Sequence, residues 1–227
     1  MKYVSLIILV ILLFNELAYS QCEYENSTSN LGIGLVAYDK DNRTIPDFEV
    51  FNDPELTDKF CSWDVYNDFN SEPFCAKFHK PDYGIVQVVV LDSLINSYKV
   101  LVNENDIKFV PKNIKYVFWS WEEYLLQSHG VRRKIENIEF KNQPIREIPE
   151  ESSKEIELPN KRFELLCVLE VKGDWIQIKY DCFYNDSDNP HEGMPCSEYI
   201  NECEDSSIGW LKWRNKNKVL VDIFLMA

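Results

Sequence analysis

Three histidines and seven cysteines are the side chains of this 227-residue chain best suited to chemistry, and their spacing decides which chemistry is open. Cys75 and His79 stand close together in "CAKFH", and His191 lies shortly before Cys196. A nucleophilic cysteine needs a base within hydrogen-bond reach and a turn that presents it. Neither pair has the strand–turn–helix surroundings that would do this. Zinc asks for paired Cys-x-x-Cys or His-x-x-x-His spacings, and neither occurs. The loose group Cys182, His191, Cys196 and Cys203 is a poor substitute in an oxidising compartment. "NDSDN" (185–189) and "YDKDN" (38–42) alternate acids as calcium loops do, but lack the glycine and the downstream glutamate. With seven glycines there is no phosphate-cradling loop. The residues therefore assign no catalytic group, no metal and no cofactor.

Structural bridges account for the cysteines better. Cys182 ends one strand pattern and Cys203 precedes the next, so a Cys182–Cys203 bridge would tie the neck of the segment between them. Cys61 and Cys75 fall together in the first half and are expected to pair. Cys167, in "FELLCVLEV", alternates with apolar neighbours and is expected to be a buried, reduced thiol. Cys196 could replace either partner of a bridge, and Cys22 is left unassigned. Asn26, Asn42 and Asn185 each open an Asn-x-Ser/Thr triplet, a glycosylation signal only in a eukaryotic source.

The elements that position these residues begin after a leader. Lys2, the run "VSLIILVILLF" and the small-residue site "AYS" read as a signal peptide over residues 1–20, cleaved after Ser20. Gln21 stands before Cys22 where a lipid-attachment site wants a small residue, so the expectation is a soluble chain, secreted or periplasmic, with no membrane insertion. Thirty-eight acidic against twenty-four basic residues give a net charge of −14. That balance argues against nucleic acid and anionic membrane surfaces, both of which need cationic patches.

Residues 21–31 form an N-terminal segment. From residue 32 short β patterns alternate with polar turns, as in small barrels or sandwiches. One helix interrupts them: in "SWEEYLLQSHG", Ser120 and Glu123 form a capping box, and Gly130 suits a left-handed C-terminal cap. Its apolar stripe is Trp121, Tyr124, Leu125 and Gln127. The expected units are residues 32–133 with that helix at the end, and residues 134–227 with an insertion at 183–207. In "WIQIKY", Ile176, Ile178 and Tyr180 should face the core, with Trp175, Gln177 and Lys179 opposite. The halves echo each other: "EVFNDPE" parallels "PIREIPEE", and Tyr98 of "SYKVLV" stands where the second half has Trp175.

"LEVKGDWIQIKYD" followed by "GWLKWRNKNKVLVDIF" resembles the bacterial SH3-like barrel, in which a Gly-x-Trp turn joins two strands and a Gly-Trp strand closes the barrel. The likeness covers about residues 140–226 and extends weakly to 32–130. "WSWEEYLLQSHGVRR" looks like the helix that accompanies such barrels in secreted proteins of Bacteroidetes-type bacteria. The resemblance implies a mainly β chain of two small SH3-like barrels with one short helix between them. It implies a non-catalytic binding module for a protein, peptide or cell-wall ligand. It also lends Trp175 a place in a ligand groove, with Trp213 and Tyr98 as further candidates. The long insertion departs from the family pattern and leaves contacts along that edge open. A second reading makes the protein a structural or inhibitory accessory that acts through the insertion.

Overall fold

The computed structural model describes residues 30–38, 47–65, 72–80, 83–103, 105–134, 143–159, 164–204 and 206–224. The leader, Cys22, Asn26, Asn42 and the "YDKDN" turn after Tyr38 lie outside the described residues. The chain is mainly β with one short helix between two sheets, as its alternating patterns predict.

The first sheet is built from β1 (Gly34–Tyr38), β2 (Asp47–Phe51), β3 (Lys59–Asp64), β4 (Phe78–Lys80), β5 (Ile85–Ser93), β6 (Ser97–Val102), β7 (Asp106–Pro111) and β8 (Tyr116–Ser120). Its path is β3-β2-β7-β6-β5-β1-β8, with β4 added alongside β5. The helix α1 (Trp121–Leu126) follows. The second sheet uses β9 (Val131–Arg133), β10 (Ile145–Arg146), β11 (Glu155–Ile156), β12 (Leu166–Lys172), β13 (Trp175–Tyr180), β14 (Ile208–Lys212) and β17 (Val221–Ile223). Its path is β11-β10-β14-β13-β12-β9-β17, and β15 (Arg214–Asn215) pairs with β16 (Lys218–Val219) apart from it. All pairings are antiparallel.

Setting β4 aside, the two paths are one topology used twice. Each sheet runs third, second, sixth, fifth, fourth, first, seventh in chain order. The registers agree along β5–β6–β7 and β12–β13–β14. A bulge interrupts β5 between Val90 and Asp92, and another interrupts β12 between Val168 and Glu170. Asp92 faces Lys99 as Glu170 faces Gln177. Phe51 bridges Phe109 as Arg146 bridges Trp210, so Pro54 and Pro149 fall at equivalent places and that sequence echo is a structural one. The other echo slips by one residue. Aligned on the bulges, Tyr98 matches Ile176, and Trp175 matches Ser97. A one-residue slip moves a side chain to the other face of a strand, and Tyr98 does face its own unit's core.

β9 belongs to the second sheet, pairing with β12 and β17, so the handover between sheets falls at the helix, ahead of the division expected after residue 133. The helix has its capping box, with Ser120 Oγ accepting from the Glu123 amide at 3.2 Å and the Glu123 carboxylate accepting from the Ser120 amide at 2.9 Å. It is shorter than the "SWEEYLLQSHG" pattern. The Ser128 hydroxyl takes the Leu125 carbonyl at 2.8 Å, and Phe224 then captures the chain through the His129 amide and the Gly130 carbonyl. Gly130 has a φ of +109°, but it does not cap the helix: a Cβ there would meet Leu165 at 2.8 Å. Trp121, Tyr124 and Leu125 are buried as predicted, whereas Gln127 is exposed. The closing "VLVDIF" breaks at Leu220, whose amide turns back to Trp213.

The helix covers the β5 face that carries Gln87 and Val89. Tyr124 donates to the Gln87 side chain, and Trp121 Nε1 donates to the Leu31 carbonyl at 2.6 Å. On its other side it closes the second unit, with the Trp121 and Trp213 rings 5.6 Å apart. One apolar core therefore runs from Leu35 and Val89 through the helix to Ile176, Ile178 and Leu211. A second core, containing Phe48, Trp63 and Val100, fills the first unit. Burial of this extent is the main source of folding free energy.

Candidate functional site

The second unit presents its tip where β12 turns into β13. Lys172 pairs with Trp175, so Gly173 and Asp174 make the whole turn. Gly173 takes a φ of +61° with open space where a Cβ would stand; conformation selects glycine here. The turn is held from β14 and β15. The Trp213 amide and indole donate to the Asp174 and Gly173 carbonyls, each at 3.0 Å. Arg214 Nε donates to Asp174 Oδ1 at 2.7 Å, and its guanidinium lies 4.9 Å from the Trp213 ring centre. Across the strand from Trp175, Lys212 reaches Glu151 at 2.6 Å. That contact ties in the loop that carries Ile148, which is half exposed.

Trp175 itself is part-exposed, while Ile176 and Ile178 on the opposite face are sealed. The alternation read from the sequence therefore holds. Lys179 shares the Trp175 face yet is buried, because the insertion folds back over that end of the strand.

The other two candidates do not join Trp175. Trp213 is 1% exposed and belongs to the shared core. Its indole serves the turn and the helix, so no ligand can reach its face. Tyr98 lies in the first sheet, stacked on Phe118 at 5.6 Å with Lys112 Nζ 5.0 Å from its ring centre. Burial raises its phenol above the ordinary tyrosine value.

The Cys182–Cys203 bridge is present. The expected Cys61–Cys75 bridge is not. Cys61 is a free, half-buried thiol, and burial pushes its pKa up to about 11. Cys75 is disulfide-bonded, but not to Cys61. Cys167 is buried as expected, yet it is not reduced: it bridges Cys196. Its strand face is the one the insertion covers. Register alone reveals that face, since Cys167 pairs with Lys179 and the strand bulges immediately after it.

Both cysteines of the Cys/His spacings, Cys75 and Cys196, are thus oxidised and are not nucleophiles. His79 Nδ1 lies 2.9 Å from Glu72, and burial lowers its pKa against the opposing pull of that carboxylate. His191 stacks on Tyr199 with ring centres 4.6 Å apart and faces Glu202 at 3.2 Å. Among the described residues no three acidic, histidine or cysteine side chains converge as a metal site.

Sequence reasoning missed one polar pair altogether. Arg133 and Glu164 are both buried, and the guanidinium Nε and Nη2 groups donate to the carboxylate at 2.5–3.2 Å. They lock β9 to the approach of β12. The signal was faint: Arg133 is one of three consecutive cations, and Glu164 is a lone acid in an apolar run.

Comparison of the chain with family models, with curated proteins and with solved structures finds no match. No helix among the described residues is long and apolar enough to cross a membrane. The disulfides suit an oxidising extracellular or periplasmic compartment.

Proposed function

We propose that the chain is a secreted, non-enzymatic binding protein of two SH3-like units, and that the second unit holds a protein, peptide or cell-wall ligand at its Trp175 tip. The observation that carries this reading is Trp175: a large aromatic left part-exposed beside a turn held by three hydrogen bonds from Trp213 and Arg214. Exposed aromatics on rigid supports make strong anchors, because little conformational freedom is lost when they bind. Export through residues 1–20 belongs to the same reading, and so does the likeness to barrels of Bacteroidetes-type secreted proteins.

A second reading rests on a different observation. Two disulfides hold an insertion whose outer residues are exposed and whose charges are acidic, which suits an accessory or inhibitory protein that meets its partner there. The duplicated topology supplies the test. Residues 181–206 can be replaced by the short turn that joins β6 to β7, together with Cys167→Val, since Val89 is the equivalent residue of the first unit. Purified peptidoglycan sedimentation and pulldown from a cell-envelope extract would then compare wild type, Trp175→Ala and the loop-replaced chain. Binding lost only in Trp175→Ala supports the tip. Binding lost only on loop replacement supports the insertion. Capture unchanged in both variants refutes the tip and the insertion as contact surfaces.

A further inference from the structure

Among the described residues, the insertion packs apart from the core that joins the two sheets. Its buried side chains Tyr199 and Ile200, with Cys196 and Cys203, form a small cluster with Cys167, apart from the core shared by the two sheets. Its hydrogen bonds to the sheet gather at the neck. Tyr199 donates to Asp181 at 2.8 Å, Ser206 donates to the Tyr180 carbonyl, and Asn185 donates to the Tyr180 hydroxyl at 3.3 Å. Away from the neck, the described ties are the Cys167–Cys196 bridge and a long bond of 3.4 Å from the Cys196 amide to the Ser128 carbonyl. The helix α2 (Cys196–Tyr199) that carries this bridge is a single turn.

We infer that the insertion is a redox-released strap. With both bridges closed it lies on the outer face of β12; when a dithiol reduces them it lifts, baring Leu169, Lys179 and the Cys167 thiol. The exchange balances at each bridge. A thiolate of the dithiol attacks one sulfur, the S–S bond breaks, and the other cysteine departs as a thiolate that takes up a proton. The second thiol of the reductant then attacks the mixed disulfide and frees the remaining cysteine, so the dithiol ends as a disulfide and two electrons have passed to the protein. The order follows from access. Cys182 is exposed, whereas Cys203, Cys167 and Cys196 are buried, so the neck bridge opens first and its opening admits the reductant to the second.

Charge favours the lifted state once the bonds are gone. Residues 183–207 contain no lysine or arginine, while Asp186, Asp188, Glu192, Glu198, Glu202 and Glu204 all repel one another at neutral pH. The first unit shows that the strand connection itself needs no insertion, because β6 and β7 are joined by a short turn between Val102 and Asp106, its own Val89 face being covered by the helix.

The test is a dithiothreitol titration of the full chain at neutral pH, with released thiols trapped by iodoacetamide and mapped by mass spectrometry, and with amide exchange followed in parallel. Cys182 and Cys203 should be labelled at lower reductant than Cys167 and Cys196. Exchange should then rise by about tenfold or more across the insertion and β12 while β5 and β6 stay protected. A Cys167→Val, Cys196→Val double variant should show the same raised exchange as soon as its neck bridge is reduced, at a lower dose than wild type needs. The strap is refuted if the insertion stays protected after both bridges are reduced, or if both sheets lose protection at the same dose. The wild-type titration decides the matter even if the double variant does not fold.

Discussion

At the scale of single residues, Trp175 and Ile178 make the sharpest contrast. They lie on the same strand, on opposite faces, one part-exposed and one sealed. Ile178→Ala should destabilise the fold by roughly 2–5 kcal/mol, the usual range for a buried aliphatic truncated to a cavity. Trp175→Ala should leave the thermal melt close to wild type while weakening ligand capture. If the two variants melt equally early, Trp175 is structural and the tip is not the site. His79 gives a pH-dependent counterpart. Burial lowers its pKa below the ordinary 6.5, so the unfolded chain takes up the proton first. Its contribution is complete above about pH 6.5 and is lost as the pH falls toward the folded value. Denaturant titrations from pH 7.5 to 5 should show stability falling, with a shallower slope in His79→Gln. An unchanged slope would place the titration elsewhere.

At the scale of elements, local rules and long-range contacts contributed unequally. The capping box of α1 was legible because its residues are close in sequence, and Ser120→Ala should cost about 1 kcal/mol, measurable by equilibrium unfolding. The inward face of β13 was legible from its alternation. The helix's early end was not, because Ser128 and the distant Phe224 decide it. Cys167 misled for a related reason. Its alternation with apolar neighbours says that it is buried, but not whether the core or a folded-back insertion buries it. The match of Tyr98 to Trp175 failed by one residue because it followed the aromatic side chains, whereas the bulges and the equally short turns set a register that matches Tyr98 to Ile176. The buried pair Arg133–Glu164 belongs here too, since it joins two strands. Glu164→Gln leaves a guanidinium short of its countercharge in the interior and should cost about 3–5 kcal/mol, read from chemical denaturation. A loss within experimental error would mean that water reaches the pair.

At the scale of the whole molecule, two sheets were expected as separate barrels, and a shared core joins them. Trp121 and Trp213 meet at that junction. Trp121→Ala should therefore lower a single cooperative transition by about 3–5 kcal/mol instead of melting one half alone. Two resolved calorimetric transitions would show that the halves fold independently. The position of the helix has another consequence. In the first unit it roofs the β5 face around Val89; in the second, the equivalent face around Cys167 is roofed by the disulfide-bonded insertion. A tandem array leaves the outer face of its last member uncovered, and repeat proteins meet that need with a specialised terminal repeat. Here the second repeat carries its own roof, grown from the loop between its fifth and sixth strands, so its outer face needs no helix from a neighbour.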